Sequence, residues 1–168
     1  MSEIQARSGH VSRRAVTRAA VWSVPTVAVV AAAPAFAASV TDIGAYTIDG
    51  SCGVLGAVGP GFVITAPVDA PIPAGSSITI TGTGVANIGA ITPSGPATVA
   101  VAEPSPTTRT ATLASDLPAG SRLELRSALS LNVAFTLTGV GALPSGYTAT
   151  GAKNAGSVSS TLVLCSAT

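Results

Sequence analysis

From Ala38 onward, prolines and glycines recur every ten residues or so, and this punctuation limits the chain to short elements. Proline fixes φ and removes a donor, while glycine releases φ, so both end regular segments and mark turns. Between them apolar residues alternate with Thr, Ser and charged residues, and no helical stripe of useful length appears. Period two is the signature of a strand with one buried face. The clearest case is 122–129, where Leu123 and Leu125 alternate with Arg122, Glu124 and Arg126. Similar alternation runs through Tyr46, Ile48 and Cys52, through Phe62, Ile64 and Ala66, and through Ile78 and Ile80. Residues 97–102, 108–114, 133–138 and 158–165 complete a prediction of about eight strands in an all-β chain. The Pro/Gly clusters at 59–61, 71–75, 93–96, 104–106, 118–120 and 144–146 are read as the turns between them.

One phrase occurs twice. Ile72-Pro-Ala-Gly-Ser-Ser-Ile-Thr-Ile-Thr81 is echoed by Leu117-Pro-Ala-Gly-Ser-Arg-Leu-Glu-Leu-Arg126. Ten residues are too few for a duplicated domain, so the echo reads as one turn solution used twice.

Residues 1–37 divide into the three zones of a secretory leader. Arg7, Arg13, Arg14 and Arg18 form a basic start, 19–33 an apolar centre, and Ala35, Phe36 and Ala37 a small-residue cleavage site with Ala38 as the new N-terminus. Ser12, Arg13, Arg14 and Arg18 resemble the twin-arginine (Tat) export consensus, although Val16 and Thr17 stand where such leaders prefer Phe and Leu. A general secretory leader is the alternative. Pro25, Pro34 and the cleavage site argue against an uncleaved anchor, and no second apolar run long enough to span a bilayer follows. The expected division is a signal peptide at 1–37, recognised by the Tat translocase and removed by signal peptidase during export, and one domain at 38–168 with no membrane span.

Four of the eight Lys and Arg lie in the leader and only Glu3 of the seven acids does, leaving four basic and six acidic residues beyond it, net −2. Four scattered cations cannot track a run of phosphates, so nucleic acid is excluded as a partner. The sole His10 and sole Trp22 also fall in the leader. Cys52 and Cys165 are the only cysteines. Export would place them in an oxidising setting, and a disulfide is expected; a zinc site or catalytic thiol would call for histidine or further thiols.

The same scarcity weighs against catalysis. A Ser-His-Asp triad has no histidine beyond the leader, and Lys153 beside Asn154 has the look of an exposed turn rather than the base of a Ser-Lys pair. The six acids, Asp42, Asp49, Asp69, Glu103, Asp116 and Glu124, lie mostly beside Gly or Pro, where carboxylates cap turns. Asp42 and Asp49 could offer oxygen ligands to a calcium ion, but no D-x-D-x-D loop is present and a solvated turn is the favoured reading. No enzyme activity, cofactor or metal is expected.

The apolar-Pro-Ala-Gly phrase before a strand resembles the strand-entering loops of bacterial immunoglobulin-like surface domains. With the strand count and turn spacing, that resemblance implies an immunoglobulin-like Greek-key β-sandwich of about seven to eight strands. The two cysteines, one near each end of the domain, would join the first strand to the last, unlike the mid-sandwich pair of antibody domains. The leader, with its Ala33 to Ser39 stretch, resembles those of short Tat-exported proteins of high-GC Gram-positive bacteria. The expected role is that of a non-enzymatic secreted or cell-envelope-associated structural or adhesive protein. Its partners would be envelope components or further copies of itself, met through a weakly charged face or an unpaired edge. The alternative is a soluble extracellular binding or inhibitor protein, with an apolar ligand between its sheets.

Overall fold

A computed structural model describes residues 39–54, 59–129, 134–161 and 164–168. The leader motif Ser12, Arg13, Arg14 and Arg18 and the cleavage residues Ala35, Ala37 and Ala38 lie outside them, as does Val133 at the start of one expected strand. In chain order the strands are β1 (Thr41–Asp42), β2 (Thr47–Ser51), β3 (Gly61–Thr65), β4 (Ser77–Thr83), β5 (Ile91–Ser94) and β6 (Val99–Ser105). They continue with β7 (Thr108–Leu113), β8 (Arg122–Ser127), β9 (Phe135–Ala142), β10 (Tyr147–Thr148), β11 (Ala155–Ser160) and β12 (Cys165–Ala167).

The alternation read in the sequence sorts side chains between a core and two outer faces. In β8, Leu123 and Leu125 are fully buried while Arg122, Glu124 and Arg126 point outward. Ile78 and Ile80 of β4, Phe62 and Ile64 of β3, and Leu137 of β9 do the same from their strands. Each such side chain contributes roughly 1.5–3 kcal/mol by leaving water. The result is a sandwich: a six-stranded sheet in the order β12-β11-β9-β4-β7-β6 against a four-stranded sheet in the order β2-β3-β8-β5. A short parallel pair, β1 with β10, stands apart from both.

The echoed phrase marks where the chain changes sheets. After β3 the chain crosses to β4 through Ile72-Pro-Ala-Gly, and after β7 it crosses back to β8 through Leu117-Pro-Ala-Gly. Because β3 pairs with β8 and β4 pairs with β7, the two crossings interlock. They also bond each other: the N–H of Ile72 donates to the Leu117 carbonyl at 3.0 Å, and the reverse bond is 2.9 Å. Gly75 and Gly120 hold matching positive φ of 80s and 60s degrees, +85° and +68°, a left-handed turn conformation open to glycine at little cost. The repeat is therefore a pair of turns related by an approximate two-fold, each completing the other.

One side of the sandwich is sewn shut. The Ile48 N–H donates to the Lys153 carbonyl (2.8 Å), the Lys153 N–H to the Tyr46 carbonyl (2.9 Å), and the Gly50 N–H to the Thr168 carbonyl (2.8 Å). Gly50 permits this approach, since a Cβ there would overlap the Ser157 carbonyl. Just beyond β2, Cys52 is bonded to Cys165 at the start of β12, with Cα atoms 5.9 Å apart. The expected disulfide thus joins the two sheets. On the opposite side the edges are blunted. β6 carries a register break between Ala102 and Ser105, at Glu103-Pro104, and β5 carries Pro93, which has no N–H to offer.

The all-β sandwich is as expected, with more strands than the eight read from the pattern. β5 does not stand out in the sequence because Pro93 has the look of turn punctuation; an edge strand tolerates it. The stretch 158–165 is not one strand: β11 ends at Ser160 and β12 returns antiparallel from Cys165, pairing Ser160 with Cys165. The strand ending at Cys52 is preceded by β1, so the disulfide ties the second strand to the last.

Candidate functional site

Five of the six described carboxylates are engaged at separate places. Asp42 accepts from the backbone N–H of Gly44 (2.9 Å) and of Thr150 (3.0 Å), fastening the first segment to the loop after β10. The Thr150 hydroxyl, the Thr150 N–H and the Gly44 N–H hold its carboxyl below the usual carboxylate range. Asp49 pairs with Lys153 (2.6 Å) and accepts from the Thr47 hydroxyl (2.8 Å); Lys153 first and Thr47 second lower its pKa. Glu124 pairs with Arg126 (2.9 Å), which also reaches Ser51 across the strand between them. Asp116 accepts from the Ala74 N–H (2.7 Å) at the interlocked turns, and Glu103 faces Arg109 (3.4 Å). Among the described residues no three His, Cys, Asp or Glu side chains gather. The bonds of Asp42 serve a turn and those of Asp49 the seam.

Arg109 is the residue that pattern reading missed. It occupies an inward position of β7 and is 2 % exposed. Its guanidinium donates to the carbonyls of Gly89 (2.9 Å), Ser105 and Thr108 (2.9 Å) and to Asn87 Oδ1 (3.1 Å). Five donors in a planar fork can serve several carbonyls at once, which is why an arginine can be buried at a hairpin end. The only hint in the sequence is a charge at an inward position of an alternating strand.

The two outer faces differ in kind. The four-stranded sheet carries Asp49, Arg122, Glu124 and Arg126 outward. On the outer face of the six-stranded sheet the paired rows carry no charge; its two charged residues are Arg109, which points inward, and Glu103, in the bulge of edge strand β6. Their register sets Thr138 between Ser157 and Thr81, Thr81 beside Thr108, Thr79 between Val140 and Thr110, and Thr136 between Ser159 and Thr83. Hydroxyls and methyls therefore form a grid, spaced about 4.8 Å across strands and about 7 Å along them. Towards β12 the hydroxyls bond each other, Ser159 with Ser166 at 2.8 Å and Ser157 with Thr168 at 2.9 Å.

A groove of about 360 Å³ opens between β2, the end of β9 and the β10–β11 connection. Tyr46, Leu143, Tyr147, Ala149, Ala152 and Asn154 line it, together with Gly141 and Ala142. Every lining residue is uncharged, and both tyrosines of the chain are among them. Tyr46 is 5 % exposed, and burial pushes its phenol pKa up. Gly141 leaves room for its hydroxyl: a Cβ there would stand 3.0 Å from it and 2.6 Å from Ile48 Cδ1. Between the sheets, by contrast, the crevice at Tyr46, Ile48, Ile64 and Leu113 amounts to about 10 Å³, at most the room for one water.

Fold and surface together define an all-β sandwich, disulfide-closed on one side and blunted on the other, with one uncharged hydroxyl face and one uncharged groove. No protein family, no curated protein and no solved structure matches the chain. Disulfides of this kind persist in oxidising compartments, and among the described residues no helix is long and apolar enough to cross a membrane.

Proposed function

We propose that the chain is exported through its Tat-type leader, cleaved after Ala37, and works outside the cytoplasm or at the cell envelope as a non-enzymatic structural or adhesive sandwich. The observation that carries this reading is the uncharged grid of Thr, Ser, Ala and Val on the six-stranded sheet. Such a face can meet an envelope component or another copy without desolvating ions, which is costly for unpaired charges. Blunted edges support contact through faces rather than by strand addition. An apolar ligand between the sheets has no seat in the crevice at Tyr46 and Leu113.

Fractionating a producing culture into medium, wall and membrane, and sizing the protein natively in its fraction, tests the proposal. Cell-associated or high-mass material is expected for the parent chain. Thr79→Lys with Thr138→Glu, both on exposed central positions of the grid, should release it as a free monomer. A parent chain found only as a free monomer in the medium, or a purified protein that turns over a substrate and loses this to one substitution, would overturn it.

A further inference from the structure

A tyrosine hydroxyl buried in a protein ordinarily finds a hydrogen-bond partner. The Tyr46 hydroxyl has none among the described residues, although the ring is packed in the core and the residue is 5 % exposed. No fully buried side-chain nitrogen or oxygen among those residues lacks a partner, so this hydroxyl is not fully sealed, and Tyr46 lines the solvent-open groove. Its neighbours there are similarly uncommitted. The Asn154 side-chain amide and the Tyr147 hydroxyl have no protein hydrogen bond among the described residues, and Tyr147 is 39 % exposed.

These groups define the chemistry of a ligand. With no charged residue in the lining, an ion would find nothing to neutralise it. Two phenols and an amide both donate and accept, which suits hydroxyl groups on the ligand. Tyr147, an exposed residue, with Leu143, Ala149 and Ala152 also in the lining, offers an apolar surface for a flat C–H face. The volume sits at the lower end of the range of about 300–1,000 Å³ typical of small-molecule sites, and the groove is open to solvent. A ligand that is uncharged, rich in hydroxyls and apolar on its ring faces is a neutral sugar.

The geometry points to this groove as a binding site for one unit of an uncharged saccharide, held by Tyr46, Tyr147 and Asn154. The assignment rests on the reading of the chain as a binding rather than a catalytic protein, and it gives the adhesive role a target. The test is an NMR titration of the purified protein with cellotriose, chitotriose and mannotriose, with trigalacturonate as the charged control. Saturable shifts confined to the amides around Tyr147, Ala149, Ala152 and Asn154 are expected with at least one neutral trisaccharide. Affinity should fall about tenfold in Tyr147→Ala and several-fold in Tyr46→Phe and Asn154→Ala, tenfold corresponding to about 1.4 kcal/mol. Tyr46→Phe keeps the packed ring and Asn154→Ala alters an exposed side chain, so both should remain folded. Absence of binding to all three neutral sugars, binding unaffected in every variant, or equal binding of the charged control overturns the assignment while leaving the non-enzymatic reading in place. Recovery of cleaved sugar would instead remove that reading and leave the groove as the site.

Discussion

Removing the guanidinium of Arg109 strands the carbonyls of Gly89, Ser105 and Thr108 and the Asn87 amide oxygen around a buried position. Each buried acceptor left unpaired costs about 1–3 kcal/mol, partly relieved by water entering at a loop. Arg109→Leu should therefore lower unfolding stability by about 3 kcal/mol, measured by urea denaturation, whereas Arg122→Leu on the outer face should change it by less than about 0.5 kcal/mol. Tyr46 makes a prediction of opposite pH character. Its folded pKa lies above the ordinary 10.0 because burial disfavours the phenolate. The folded state then holds its proton where the unfolded chain has released it, so the contribution is complete below pH 10.0 and lost as pH rises through the folded value. Tyr46→Phe should abolish that alkaline loss, read as a flatter stability profile above pH 10.0.

At the scale of elements, two devices hold the sheets together and can be tested separately. The disulfide closes 113 residues of chain, and cross-linking a loop of that size contributes about 4–5 kcal/mol by restricting the unfolded ensemble. The Cys52→Ser, Cys165→Ser double variant should lose about that much in denaturant titration, and reducing agent should reproduce the loss in the parent. The interlocked turns depend instead on φ. Nothing lies within 4 Å of where a Cβ on Gly120 would stand, so Gly120→Ala should cost only the left-handed penalty of about 1 kcal/mol. Gly75→Ala, in ordinary contact with Pro144 at 3.6 Å, should cost about the same. β3, β4, β7 and β8 were legible in the sequence because alternation and turn residues agree locally. β5 and the β11–β12 reversal were not, since Pro93 counts against a strand until its edge position is known, and residues 158–165 carry no proline or glycine to announce a turn.

For the molecule as a whole, acid is a further test. Asp42 and Asp49 have folded pKa values below the ordinary 3.8, so their contributions are complete above it and vanish as pH falls through the folded values. Stability should hold from neutrality to about pH 5 and decline below about pH 4, and Asp49→Asn should shorten that decline. The decline should be shallow, because Asp42 is solvent-exposed and the Asp49–Lys153 pair is nearly half exposed on both partners. The amino-acid sequence by itself determined the all-β class, the inward residues of the main strands, the two echoed turns and the pairing of the only two cysteines. All of these follow from local periodicity, from turn chemistry, or from there being a single possible partner. Only the tertiary structure decided that the echoed turns bond each other, that Gly50 lies at a seam, and that Arg109 is buried. It alone brought Tyr46 beside Tyr147 and Asn154, and gathered the outward Thr and Ser of separate strands into one uncharged face. Those relations join residues distant in the chain, and their physical cause is the order of strands in the two sheets, which no local pattern encodes.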